Sequence, residues 1–130
     1  MKRVIGIGGI FFKANDPEKL AAWYQKHLGL EIQDFGGAMF RENESSPGAP
    51  KREAYTLWSP FPTDTEYFAP SDKPFMINFR VADLNALLAE LRRDGVQVDE
   101  RTENSSFGNF GWAMDPEGNR IELWEPPVAG

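Results

Sequence analysis

Apolar residues at the start of the chain form one strand-like run followed by a helix-like stripe. Residues 4–12 are almost continuously apolar, which predicts a buried strand. Asn15 or Asp16 can then cap a helix, Pro17 suits its first position, and Gly29 supplies a stop signal. Further strands are predicted near residues 30–34, 38–41 and 53–59, with a polar loop at 42–51.

The same order of signals restarts in the second half of the chain. Residues 75–81 predict a strand, Asp83 caps a second helix with a leucine stripe, and Gly95 ends that helix. Another strand is predicted to begin at residues 96–98. The tetrapeptide Asp-Pro-Glu-Gly at 115–118 suits a type I turn, with hairpin arms at residues 107–114 and 119–125.

This recurrence predicts an α+β fold made by internal duplication. Module 1 covers about residues 4–59 and module 2 about residues 75–125, each a βαβββ unit. A proline-rich connection with little regular structure is predicted at about residues 60–74. The two modules are expected to form one domain with a single cleft.

Size and charge exclude several classes of protein. At 130 residues and 14.7 kDa, the chain can bury about two-thirds of its surface, which is enough for one core. A net charge of −6 argues against binding to nucleic acid or to an anionic membrane. No run approaches the ~20 apolar residues of a membrane span, and the apolar N-terminal run lacks a cleavage site, so a cytoplasmic protein is expected.

The supply of nucleophilic and metal-binding side chains is small. Cysteine is absent, which excludes disulfides, thiolate metal sites and thiol nucleophiles. His27 is the only histidine, whereas histidine-rich zinc sites and the two-histidine iron site each need at least two. His27 lies on the first helix stripe, where a packing role or a place at the helix C-terminus is expected.

Three segments resemble the vicinal oxygen chelate superfamily, which includes glyoxalase I, extradiol dioxygenases and bleomycin-resistance proteins. They are GIGGIFFKANDPEKLAAWYQKHLGLE, FMINFRVADLNALLAELRRDGVQV and FGWAMDPEGNRIELWEP. The ending D-P-x-G-x-x-I-E-L is the most specific element. The resemblance implies two βαβββ modules that share a cleft, commonly in a homodimer.

The resemblance also implies where a metal would bind. The family's ligand positions correspond to Gly9, Thr56, Met76 and Glu122, and only Glu122 is a good ligand for a hard divalent cation. We therefore expect no metal cofactor, although a non-standard metal site stays open as an alternative.

Strand alternation assigns side chains to the two faces of the sheet. Apolar positions such as Ile77, Phe79 and Ile121 suit the face covered by helices. The opposite, concave face then carries aromatic walls and a few polar groups, which is the usual form of a small-molecule site. The predicted ligand-binding residues are Phe11, Thr56, Trp58, Met76, Asn78, Arg80, Trp112 and Trp124, with Glu122 as the candidate catalytic residue.

Each of these residues has a plain structural alternative. Glu122 could pair with Arg80 or Arg120 across strands, because an isolated buried carboxylate is costly. Trp58 and Trp124 could instead lie in the core or at a dimer interface. Phe11 and Met76 suit pure packing roles, and Arg80 near a strand end is expected to be solvated.

Three functions remain open at this point. The leading hypothesis is a homodimeric protein that binds a small aromatic or amphipathic molecule without a metal, as bleomycin-resistance proteins sequester a drug. The alternative is a lyase or isomerase of the glyoxalase type with Glu122 as general base. The third is a module whose aromatic face binds another protein.

Overall fold

The computed structural model describes residues 3–41 and 54–128, so the predicted loop at 42–51 lies outside the described residues. Seven strands and two helices are present in that part of the chain. In chain order they are β1 (Val4–Ala14), α1 (Pro17–Leu28), β2 (Ala38–Arg41), β3 (Tyr55–Pro62), β4 (Phe75–Val81), α2 (Leu84–Arg93), β5 (Glu103–Ser105), β6 (Gly108–Met114) and β7 (Arg120–Glu125).

All seven described strands form one mixed sheet in the order β2-β3-β1-β4-β7-β6-β5. The two long strands β1 and β4 pair antiparallel at its centre, while β3 and β7 flank them in parallel. The sheet curls into a half-barrel with the two helices, which confirms the predicted α+β class. The order strand, helix, strand, strand occurs in both halves, and the internal duplication itself stays a prediction.

Both helices begin and end where their capping residues predict. The side chains of Asp16 and Asp83 each accept a backbone hydrogen bond of 3.1 Å from the residue three positions later. Gly29 closes α1 with a φ of 72°, a left-handed conformation that glycine adopts without strain. The local signals at these positions therefore mark where both helices begin and end.

The two faces of the sheet carry separate hydrophobic clusters. Under α2, a cluster on the helix side contains Val81, Leu84, Leu87, Leu88 and Leu123, with Phe79 and Ile121 packed against it. On the concave side, a second cluster contains Phe11, Phe68, Met76 and Trp112. The second cluster forms the base of the cavity described below.

Three predicted strands differ from the observed ones. Residues 30–34 and 96–98 each contribute only a single bridge, Ile32 to Ala38 and Val98 to Ala113. The strand predicted at 53–59 is observed as β3, which ends at Pro62. It therefore continues into the proline-rich connection that was predicted to have little regular structure. Within the described residues, neither helix has the length and apolar character needed to span a membrane.

Candidate ligand-binding site

A cavity of about 560 Å³ opens on the concave face of the sheet. Aromatic rings form most of its wall: Phe11, Phe35, Tyr55, Phe61, Tyr67, Phe107 and Phe110. The rings of Phe61 and Tyr67 stack with centroids 5.7 Å apart and planes 6° apart. Such a wall favours a flat apolar molecule, because ring faces offer large contact areas in fixed positions.

Glu122 is the only acidic or basic side chain among the described residues that line the cavity. It lies on β7, is 1% exposed, and accepts three hydrogen bonds from neutral groups. The Asn78 amide donates to Oε1 at 2.6 Å, the Trp112 indole donates to Oε2 at 2.8 Å, and the Tyr67 hydroxyl donates to Oε2. The alternative considered for Glu122 was a pairing with Arg80 or Arg120, and the charge of Arg120 does act on this carboxylate, although the three hydrogen bonds come from neutral groups.

The carboxylate keeps room for one more donor. A carboxylate has about four acceptor positions, two on each oxygen. Among the described residues, Oε2 accepts two hydrogen bonds and Oε1 accepts one. Oε1 therefore has an acceptor position that no described residue fills.

Burial changes the acid–base properties of this pair of side chains. It raises the pKa of Glu122 above its ordinary value of 4.5, and hydrogen bonds from Tyr67, Asn78 and Trp112 oppose part of that effect. The pKa of Tyr67 is also raised, first by burial and then by the negative charge of Glu122. Tyr67 is therefore a firm hydrogen-bond donor at neutral pH.

Arg120 contacts Tyr67 and Trp112, two of the residues that donate hydrogen bonds to Glu122. Its guanidinium pairs with Asp99 at 2.7 Å and donates to the Tyr67 carbonyl oxygen at 2.7 Å. The same group lies 5.0 Å from the Trp112 ring centre, and Arg101 lies 4.9 Å from it. The indole that donates to Glu122 is thus held between two cations.

Most of the predicted site residues lie on the concave side. Phe11 and Glu122 line the cavity directly. Met76, at 0% exposed, and Trp112 belong to the cluster beneath it, and Asn78 reaches Glu122. Trp124 is also buried. Its ring stacks on Phe110 with centroids 6.1 Å apart and lies 4.8 Å from the Tyr55 ring between centroids.

The predicted orientation of β3 is wrong. Trp58 packs against Tyr24 of α1 at 4.5 Å between ring centres and against Phe12 at 5.3 Å, so it lies on the helix-covered face. Thr56 shares that face and donates a hydrogen bond to the Ile7 carbonyl oxygen at 2.7 Å. Leu57, which lies between them, faces the cavity instead, as does Phe61.

Arg80 also differs from its predicted place. It was expected to be solvated near a strand end, yet it is only 4% exposed. Its guanidinium lies on the concave side under Gly6, where a Cβ would approach within 2.1 Å of Nη2. The bare glycine backbone leaves the space that the arginine fills.

Sequence reasoning missed the contribution of the proline-rich connection. Phe61, at the end of β3, lines the cavity, as does Tyr67, which also donates to Glu122. Phe68 is 1% exposed within the concave cluster. The signal that could have identified them is the cluster of aromatic residues in a segment that otherwise reads as a solvated loop.

The metal positions implied by the family offer few metal ligands in this chain. Gly9 supplies no side chain, Thr56 lies on the other face, and Met76 is a poor ligand for a hard cation. Glu122 is surrounded by N–H and O–H donors, which repel a cation. No group of three histidine, aspartate or glutamate side chains suited to a metal occurs among the described residues.

Comparisons with known proteins agree with this architecture. A family model described as Glyoxalase-like domain matches residues 9–124. Among solved structures, methylmalonyl-CoA epimerase from Mycobacterium tuberculosis is 23% identical with a TM-score of 0.64, covering 98% of this chain and 91% of that one. No protein in the curated set matches.

Two further solved structures extend the comparison. The epimerase from Streptomyces coelicolor, as a variant in complex with 2-nitronate-propionyl-CoA, is 20% identical with a TM-score of 0.66, covering 98% of this chain and 99% of that one. A glyoxalase/bleomycin resistance protein/dioxygenase superfamily member from Vibrio splendidus is 12% identical with a TM-score of 0.56, covering 89% and 95%. At these identities the likeness concerns the fold.

Proposed function

The chain belongs to the glyoxalase-like domain family, and on that basis we propose that it binds a small aromatic or amphipathic molecule without a divalent metal. The observation that carries this proposal is the aromatic cavity of about 560 Å³ with Glu122 in its wall. Its volume falls within the usual range for small-molecule sites. A concave, aromatic cleft of this size also favours a small ligand over the flat, larger patch of a protein interface.

The charges around the cavity narrow the class of ligand. The described lining contains no lysine or arginine, so nothing there would pair with an anionic group. Glu122 accepts hydrogen bonds and has a free acceptor position on Oε1. The best fit is an aromatic molecule with one N–H or O–H donor, stacked on the rings and donating to Glu122.

A fluorescence titration tests this function. N-phenylnaphthylamine has two ring systems and one N–H group, and its emission rises in apolar surroundings. We expect saturable binding in the presence of a chelator. Binding to Glu122→Gln should be about 10- to 150-fold weaker, because a hydrogen bond to a charged group contributes about 1.5–3 kcal/mol.

The matched control is Glu117→Gln, the same substitution in the exposed hairpin turn, which should bind as the parent does. Melting curves establish that all three proteins are folded. Equal affinity in all three, or binding only after a divalent metal is added, would count against the proposal.

A second candidate function is proton transfer by Glu122, in an isomerase or lyase. The observation in its favour is that a carboxyl with a raised pKa lies in the wall of a cavity. The likeness to methylmalonyl-CoA epimerase suggests the assay. Incorporation of solvent deuterium into methylmalonyl-CoA, lost in Glu122→Gln, would support catalysis, whereas binding without exchange supports the first function.

We also propose that the protein is a homodimer. Exposed apolar side chains lie on the outer face of the two central strands: Ile7 is 38% exposed, Ile10 44% and Phe75 37%. Sheet faces of this composition are normally covered, and a two-fold axis would place the patch against its own copy. Light scattering should give twice the mass of one chain, and Ile10→Glu should give a monomer; an unchanged mass in that variant would count against this interface.

A further inference from the structure

A second groove lies beside the aromatic cavity, between α1 and the turn before β2. Its volume is about 440 Å³. Its apolar lining includes the buried Ala21, the exposed Ala22 and the half-buried Ile32. Glu18, Gln25 and Asp34 supply polar groups to the same groove. An apolar interior with polar groups among its lining suits a flexible aliphatic chain better than a second flat ring.

The groove and the cavity share part of their walls. Phe35, Pro60 and Pro62 line both spaces. The two spaces lie next to each other at the end of β3, where these three residues line both, so a molecule that reached from the cavity into the groove would pass over Phe35. The shared wall is the observation from which the inference follows.

Phe35 occupies the junction in a defined position. The turn that carries it is closed by hydrogen bonds from Gln33 N to the Gly37 oxygen at 2.8 Å and from Gly36 N to the Gln33 oxygen at 2.9 Å. Its ring lies against Gly37, where a Cβ would come within 2.6 Å of the ring. Half of Phe35 is exposed, so the ring offers one surface to both spaces.

We propose that the groove is a second subsite, which takes the aliphatic tail of an elongated amphiphile whose aromatic head occupies the cavity. This inference rests on the proposed function, because the head must bind first. Ala22 lines the tail subsite from the exposed surface of α1, and Phe35 is the residue over which the tail passes. The preferred ligand is then an aryl amine or phenol with an alkyl chain, in preference to a compact aromatic molecule.

A homologous series of anilines tests the subsite. The probes are para-methyl-, para-butyl- and para-hexylaniline, measured by displacement of N-phenylnaphthylamine. In the parent, each added methylene should tighten binding by about fourfold as long as it is buried. Ala22→Leu fills the groove from an exposed helix position that tolerates leucine. We expect this variant to bind para-hexylaniline at least tenfold more weakly, with para-methylaniline within twofold of the parent.

Ala89→Leu is the matched control, because Ala89 is an exposed alanine on α2, the other helix. It should behave as the parent with every probe. If Ala22→Leu affects all chain lengths equally, or none, the groove is not a tail subsite, although the cavity still binds the head. If no aniline and no N-phenylnaphthylamine bind to the parent, the proposed function fails and this inference fails with it.

Discussion

Removal of the Phe68 ring tests whether the proline-rich connection is part of the folded core. Phe68 is 1% exposed, and its ring contacts Phe61 at 5.2 Å and Tyr67 at 6.5 Å between centroids. It belongs to the cluster beneath the cavity. The substitution Phe68→Ala would leave a hole under the very residues that form the aromatic wall.

The expected loss of stability follows from that burial. Truncation of a buried phenylalanine to alanine costs about 3–5 kcal/mol, through lost transfer free energy and an unfilled cavity. For a chain of 130 residues, the unfolding entropy converts this loss to a fall in melting temperature of roughly 11–18 °C. A surface phenylalanine should show a much smaller effect.

Thermal and urea unfolding followed by circular dichroism provide the measurement. Phe40→Ala is the matched control, because Phe40 on the edge strand β2 is 52% exposed, and it should cost about 0.5 kcal/mol or less. If both variants melt at the same temperature, Phe68 is not packed as described. The connection would then be a surface loop, and the account of the cavity wall would be refuted.

Three further substitutions probe the hydrogen-bonding groups around the cavity. Because its pKa is raised, Glu122 in the folded protein keeps its proton at pH values where the unfolded chain has lost it. The free energy of unfolding should therefore fall as pH rises from about 4.5 through the raised pKa. Melting experiments across pH should show this slope in the parent and not in Glu122→Gln. Gly8→Ala would place a Cβ 2.2 Å from Asn78 Oδ1, so unfolding titrations should show a loss of about 1–3 kcal/mol. Asp99→Asn leaves the buried Arg120 without its charge partner and should cost about 1–3 kcal/mol; no change in either variant would contradict the described packing.

Much of the fold is predictable from local sequence signals. Asp16, Gly29 and Asp83 act through hydrogen bonds or backbone angles within a few residues, so the sequence alone places the helices. Asp115 accepts from the backbone of Glu117 and Asn119 at 2.9 Å each, which sets the predicted hairpin turn.

The orientation of β3 is not predictable in the same way. Both of its faces are largely apolar, so alternation alone leaves two registers. The choice depends on Trp58 packing against Tyr24 of α1, which is a contact between elements distant in the sequence. The wrong assignment of Thr56 and Trp58 to the cavity follows from this ambiguity.

The candidate site was predictable only in part. Phe11, Asn78 and Glu122 follow from alternation along β1, β4 and β7, because each lies beyond the irregular pairing of β1 with β4 at residues 4–9. Tyr67 donates to Glu122 from a segment without periodicity, 55 positions away in the chain. No local pattern encodes such a contact, so the role of Tyr67 in the cavity wall could be found only from the tertiary structure.

The most direct test of metal-free binding in this cavity uses the indole N–H signals of the four tryptophans in a nitrogen-15 correlation spectrum. N-phenylnaphthylamine is titrated into the labelled protein with a chelator present. The account predicts a shift of the Trp112 signal, whose N–H donates to Glu122, while the signals of Trp23 and Trp58 on the helix side stay in place. Shifts confined to Trp23 and Trp58, or no shift until a divalent metal replaces the chelator, would contradict it.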